Sequence, residues 1–194
     1  MNDRIFPLRE FVSKMTHAVS MHSTEKKLLP ICAELLKSLI SRDEWLPDEY
    51  AIDDPDQYCQ YLLHCDPLER FSVVSFVWSG GQYTPIHNHQ TWGVVGVLRG
   101  IEESTQFEHD NLNKKLIQGE TIRLKPGEID QFSPKLGDIH QVKNPLNGEC
   151  SISIHVYGGN IGKIKRQVFD KETGKTKEFV SGYSSTTIPN LWNY

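Results

Sequence analysis

The spacing of apolar residues changes character once along this chain, near Arg70. Before it, Phe6, Leu8, Phe11 and Val12, and then Ile31, Leu35, Leu36, Leu39 and Ile40, recur at intervals of three and four, the period of a helix with one buried face. Ser23 and Thr24 offer an N-cap for the second helix, and Pro30 must either open that helix or kink it, because its nitrogen has no hydrogen to donate. The run DPDQYCQYLLH reads as a third short helix from Pro55 to His64 with Asp53 or Asp54 as its cap. Beyond Arg70 the period falls to two. Short runs rich in Val, Ile, Phe and Thr are separated by Gly, Pro, Asn and Asp, which predicts strands at 71–78, 91–100, 103–109, 114–118, 121–125, 139–144, 150–158 and 165–170. A hairpin turning at Thr173 and Gly174 follows, then an extended tail that ends YSSTTIPNLWNY.

Eight or more short strands after a helical leader predict a mainly β fold, an antiparallel barrel or sandwich with helices packed at one end. The expected organisation is a single domain of 194 residues: helical leader to about residue 66, barrel over about 70–170, hairpin and tail over 171–194. Composition narrows the partners. A formal net charge of -4, with no block of like charge, gives no footprint for nucleic acid or an anionic membrane and leaves a small molecule as the expected ligand. Four cysteines without CxxC spacing read as free thiols, and no run of about 18 apolar residues marks a membrane span. The acidic and basic residues in MNDRIFPLREFVSKM do not suit a secretory signal, so a cytoplasmic protein is expected. Oligomeric state is not encoded in any of these features.

The candidate chemistry is in TPIHNHQTWGVVGVLRG. On an extended segment His87 and His89 project from one face, and His140 in GDIHQVKN can complete a face of three neutral imidazoles. Such a set leaves coordination positions open, as a catalytic metal site requires. In SISIHVYGGNIG, Ser153, His155 and Tyr157 alternate along one strand and share a face, where they can pass hydrogen bonds to one another. Three imidazoles suit zinc as well as iron, so ligand counting does not choose the metal.

Both histidine segments resemble the paired motifs of the cupin superfamily, whose fold is a double-stranded β-helix or jelly-roll barrel. Gly81, His87, His89 and Gly100 fill the first motif, and Gly137, His140 and Asn144 the second. Two departures stand out: Gly93 occupies the place of the usual glutamate ligand, and the proline-to-glycine spacing before Gly137 is one residue longer than the general form. A three-histidine cupin site is similar to that of the thiol dioxygenases of the cysteine dioxygenase type I family, over about Gln57 to Phe169.

That resemblance implies Fe(II) held by His87, His89 and His140, a thiol carboxylate and O2 as substrates, a sulfinic acid as product, and a relay through Ser153, His155 and Tyr157. It also implies a substrate. The cysteine-specific members carry an arginine in a short helix before the barrel, where this chain has Gln60; those resembling 3-mercaptopropionate dioxygenase carry glutamine there and an arginine that corresponds to Arg166. Gly93 falls where animal cysteine dioxygenases carry the cysteine crosslinked to tyrosine, so Tyr157 is expected to be unmodified. A cysteine dioxygenase with another carboxylate donor is the alternative within this chemistry. Outside it stand a zinc or manganese isomerase or sugar-binding cupin, and a metal-free regulatory barrel. His17, His22, His64 and His109 read as surface residues, and Trp78 and Trp92 as core or pocket aromatics without a site role.

Overall fold

The computed structural model describes residues 3–110, 112 and 114–192. The first two residues of the expected leader and Asn193 and Tyr194 of the expected tail lie outside the described residues. Helices α1 (Phe6–Met21) and α2 (Glu25–Leu39) are followed by a single 3-10 turn at Asp48–Tyr50. Ten strands follow: β1 (Cys59–Cys65), β2 (Ser72–Trp78), β3 (Gly93–Arg99), β4 (Glu102–Asp110), β5 (Lys115–Leu124), β6 (Ile129–Phe132), β7 (His140–Lys143), β8 (Ser151–Tyr157), β9 (Arg166–Phe169) and β10 (Thr176–Phe179).

One sheet has the order β1-β2-β8-β3-β6, and facing it lies β5-β4-β7. Residues 83–88 extend the second sheet. His87 exchanges backbone hydrogen bonds with His140 of β7, while Asn88 and Ile86 bond across to Gln167 and Phe169 of β9, which pairs with β10. The order β2-β8-β3-β6 against β5-β4-β7-(83–88) is a jelly roll of two interleaved Greek keys, a double-stranded β-helix.

The helices do not cap an end of this barrel. Leu28, Cys32, Leu36 and Ile40 join Val73, Val77, Val94, Ile152, Ile154 and Val156 in one cluster, so the leader covers the outer face of the five-stranded sheet. Gly96 permits the approach, since a Cβ there would lie 2.6 Å from Ile40 Cδ1. This layering inverts the usual polarity of β8. Its Ile and Val side chains point outward beneath the helices, and its Ser, His and Tyr point into the barrel, with every residue of the strand buried.

Several expectations are corrected. Pro55 to His64 is not a helix; Cys59–Cys65 forms β1, antiparallel to β2, with a register shift between Leu62 and His64. The acidic residues that resembled a helix cap do other work: Asp54 Oδ1 accepts from Asp56 N at 2.9 Å in a local turn, and Asp53 accepts from the Ser79 hydroxyl at 2.7 Å. The predicted strands 114–118 and 121–125 are one continuous β5, whose pairing with β4 slips by one residue between Gln118 and Thr121, with Gly119 and Glu120 at the irregularity opposite Gln106. β6, only four residues long, carries no pattern that sequence reading detects. Helix α2 runs through Pro30, whose ring faces solvent. Thr24 occupies the N-cap with its carbonyl accepting from Lys27 and Leu28, and its side chain makes no capping bond. His64 is half buried against Phe71, with Nε2 unpartnered and its imidazole held below the ordinary range by burial, so it is not a surface residue. No described helix is long and apolar enough to cross a membrane, and all four cysteines are free.

Candidate metal centre

The barrel brings His87, His89 and His140 together inside the second sheet. One ligating nitrogen from each lies within 4.8 Å of the others, and all three side chains are buried. The backbone dictates the meeting. The His87–His140 bridge sets those two side by side, and Thr84, whose hydroxyl accepts from Val142 N at 3.0 Å, pins the segment to β7. Asn88 points the other way, accepting from Gln167 N at 2.9 Å, and so ties the segment to β9.

Each ring is oriented through Nδ1. His87 Nδ1 lies 3.0 Å from the Pro85 carbonyl, His89 Nδ1 lies 2.8 Å from Asp138 Oδ1, and His140 Nδ1 lies 3.0 Å from Ser104 Oγ. A carbonyl or carboxylate at Nδ1 keeps the proton there and leaves Nε2 as a free lone pair, the arrangement of metal-ligating histidines. His140 Nε2 is buried without a partner. An orphaned buried nitrogen is costly unless something binds it, and a metal ion fits.

Electrostatics favour the neutral form throughout. Burial, opposed by the Pro85 carbonyl, pushes His87 down to about 4. Burial and the neighbouring imidazoles hold His89 and His140 well below the ordinary histidine range. Three uncharged nitrogens would leave a divalent cation its full charge for an anionic ligand. Asp138, which also accepts from the backbone of His89 and Gln90, is itself raised to about 6 by burial.

The place of the usual glutamate ligand is filled. A Cβ on Gly93 would fall 2.2 Å from Cζ of Phe132, whose ring stacks on His89 with centroids 4.1 Å apart. Glycine at 93 and phenylalanine at 132 are thus one packing decision, which places an aromatic wall against His89.

On the opposite sheet, Ser153, His155 and Tyr157 are buried and joined in a chain. Ser153 Oγ lies 2.8 Å from His155 Nε2, and His155 Nδ1 lies 2.9 Å from the Tyr157 hydroxyl. Trp78 Nε1 donates to Ser153 Oγ at 3.3 Å, which gives that core tryptophan a polar contact. The Tyr157 ring stacks beside His89 with centroids 5.5 Å apart, and burial keeps its phenol protonated despite the opposing charge of Arg166.

Arg166 opens β9 and is 3% exposed. Its Nη2 donates to Ser181 Oγ at 2.6 Å, its guanidinium stands 4.6 Å over the Phe179 ring, and its Nε has no partner. Among the described residues no carboxylate pairs with it, and burial lowers its affinity for its proton. A cavity of about 230 Å³ lies in front of it, lined by Tyr58, Gln60, Phe76, His87, Arg166 and Phe179 among others. Gln60 is therefore at the cavity wall, but on a strand, and its Nε2 is already committed to Ser181 Oγ at 3.0 Å and Gly182 O at 2.8 Å. The residues missed by sequence reading are Asp138, Ser104, Glu102 and Ser181. The first stands two before His140, a recognisable spacing; Glu102 and Ser104 are alternate polar positions at the start of β4; nothing local marks Ser181.

No protein-family model matches the chain. Among solved structures it is similar to an uncharacterized conserved protein with a double-stranded β-helix domain from Klebsiella pneumoniae, at 23% identity over 64% of this chain and 94% of that one, with a TM-score of 0.49. It is also similar to an RmlC-like cupin protein from Desulfovibrio desulfuricans, at 20% identity over 56% and 89% of the two chains and a TM-score of 0.42. An oxalate oxidase in complex with the substrate analogue glycolate matches at 17% identity over 58% and 57%, with a TM-score of 0.45. By its own strand order the fold is a double-stranded β-helix, and its interior carries a buried three-histidine group able to hold a metal ion.

Proposed function

We propose that the protein is a non-haem Fe(II) thiol dioxygenase, with 3-mercaptopropionate as the preferred substrate and 3-sulfinopropionate as the product. The observation that carries this reading is one cavity walled by both a ligand of the neutral histidine group, His87, and a buried guanidinium without a carboxylate partner, Arg166. A buried unpaired cation is costly, and a ligand carboxylate is the natural compensation.

His87, His89 and His140 would hold the iron through Nε2. Fe(II), when bound, would stabilise the thiolate and mediate electron flow from it to O2, with sulfur the net reductant and O2 the oxidant, so that RSH and O2 give RSO2H with both oxygen atoms on sulfur. Arg166 binds the substrate carboxylate through its planar fork, with Ser181 fixing Nη2 and Nε free to donate. Tyr58, Phe76 and Phe179 exclude water around that pair. Tyr157, hydrogen-bonded to His155 and through it to Ser153, holds a proton beside His89. The cavity is smaller than the roughly 300–1,000 Å³ of a drug-sized site, which suits a small acid. No carboxylate is among its lining residues, so an α-ammonium group would find no counter-charge, and this favours 3-mercaptopropionate over cysteine.

The test is oxygen uptake by anaerobically iron-loaded protein with 3-mercaptopropionate and L-cysteine in parallel, with the sulfinate followed by mass. Preference for 3-mercaptopropionate is expected. Preference for cysteine would keep the chemistry and discard the account of the cavity, and no uptake with either thiol would discard the proposed function.

A further inference from the structure

A buried carboxyl group stands near His155 that the proposed chemistry leaves unused. Glu102, the first residue of β4, is 2% exposed, and its Oε2 has no hydrogen-bond partner. That oxygen stands 3.7 Å from His155 Nε2, too far for a hydrogen bond and close enough for strong Coulombic coupling. Among the described residues His155 is the only basic group within ion-pair distance of it. The other titratable neighbours are Asp130 of β6, whose carboxyl is held up by burial first and also by Glu102, and the Tyr157 phenol, which burial raises first and Glu102 raises further. A second carboxylate supplies no relief.

We propose that Glu102 is a positioning residue that keeps the His155 proton on Nε2 and so leaves Nδ1 to accept the Tyr157 hydroxyl hydrogen. Neutral imidazole has one donor and one acceptor nitrogen, and two arrangements are open. With the proton on Nδ1, the Nε2 lone pair would face the carboxylate lone pairs across 3.7 Å in a dry interior, like against like. With the proton on Nε2, the N–H donates to Ser153 Oγ at 2.8 Å and turns its positive edge toward Glu102. Ser153 Oγ also receives the Trp78 indole N–H, and the serine hydrogen is not needed by the ring.

The relay then has a direction. Tyr157 donates inward to His155 Nδ1 at 2.9 Å, and its oxygen lone pairs are left for whatever binds beside His89 and Arg166. Tyr157 thus acts on that ligand as an acceptor for as long as its proton points toward His155. Only this last consequence rests on the proposed dioxygenase reading; the tautomer does not.

The experiment is a long-range 1H–15N NMR spectrum of the uniformly 15N-labelled full chain, loaded with diamagnetic Zn(II), near neutral pH and without thiol. His155 is assigned by its disappearance in His155→Gln. The expected wild-type pattern is a pyrrole-type Nε2 and a pyridine-type Nδ1. In Glu102→Gln, whose amide can donate to Nε2, the two signals should exchange type. A wild-type proton on Nδ1, protons on both nitrogens, or an unchanged pattern in Glu102→Gln would overturn the proposal. A wild-type proton on Nδ1 overturns the proposal even if Glu102→Gln does not fold, and Glu102→Met then replaces that variant: it removes the carboxylate without adding a donor, so the Nε2 proton should become shared with Nδ1, and an unmixed Nε2 pattern would equally overturn the proposal. Absence of thiol oxidation would remove the proposed function and leave this result standing.

Discussion

Replacing Arg166 with methionine separates binding from stability in a way that few core substitutions would. Methionine keeps an unbranched stem of similar course and removes only the charged fork. If the guanidinium meets a substrate carboxylate at about 4 Å with an effective dielectric near 20, the pair is worth about 4 kcal/mol, within the roughly 2–5 kcal/mol measured for truncating desolvated charge pairs. With about 1.4 kcal/mol per factor of ten, kcat/KM for 3-mercaptopropionate should fall on the order of 30-fold to several thousand-fold. Oxidation of propanethiol, which lacks the carboxylate, should be the same in variant and wild type.

Stability should respond differently. The free protein loses the Ser181 hydrogen bond, about 1.5–3 kcal/mol for a charged donor, and the Phe179 contact, about 0.5–2 kcal/mol. It also sheds the cost of burying an unpaired cation, several kcal/mol in real proteins, or about 3–5. The two sides nearly cancel. At about 2–4 °C per kcal/mol for a chain of this size, the thiol-free melting temperature should shift by only a few degrees in either direction. A fall of ten degrees or more with kcat/KM unchanged would mean that Arg166 is a structural cation, and an equal loss with propanethiol would mean that it does not read the carboxylate.

Gly93→Ala should destabilise the protein by about 1–3 kcal/mol, because the new methyl collides with Phe132; denaturant melts should show much of this recovered in Gly93→Ala/Phe132→Leu, and additivity of the two would refute the shared packing. His140→Ala should bring bound iron well below one per chain by elemental analysis and erase the rise in melting temperature that metal gives the wild type. Asp66 accepts four hydrogen bonds across the β1–β2 turn, three of them from Arg70, and its carboxyl is held below the ordinary range chiefly by the Arg70 side chain. Its folded value is depressed, so its contribution is complete above the unfolded value of about 3.9 and is lost as pH falls through the folded one. Asp66→Asn should therefore melt lower than wild type at pH 7 and converge with it in acid; a constant gap across pH would contradict the linkage.

Local pattern is enough for those parts of the molecule in which neighbours in sequence settle direction. Alternation in VVSFVW and SISIHVYG predicts β2 and β8, the hairpin at Thr173 and Gly174 follows from its turn residues, and the spacing of His87, His89 and His140 already proposes a metal-ligand face. Strand geometry likewise puts Ser153, His155 and Tyr157 on one side, because alternate side chains of a strand share a face whatever surrounds it.

Which side that is depends on the layers above and below. The helices take the apolar face of β8, so the polar face turns inward and becomes a buried hydrogen-bonded chain where solvent contact is the ordinary expectation. β1 reads as helix in the sequence because seven residues with a register shift carry too little periodicity to outweigh an acidic cap-like prelude, and pairing with β2 decides it. Glu102 and Ser104 reach His155 and His140 only because β4 crosses beneath both, and Ser181 reaches Arg166 only because the chain after β10 returns to the cavity. The residue types that do the proposed chemistry are thus local facts of the chain. Their protonation, orientation and exclusion from water are set by contacts between residues as far as 75 and 121 positions apart, which burial and hydrogen bonding select only once the sheets have closed.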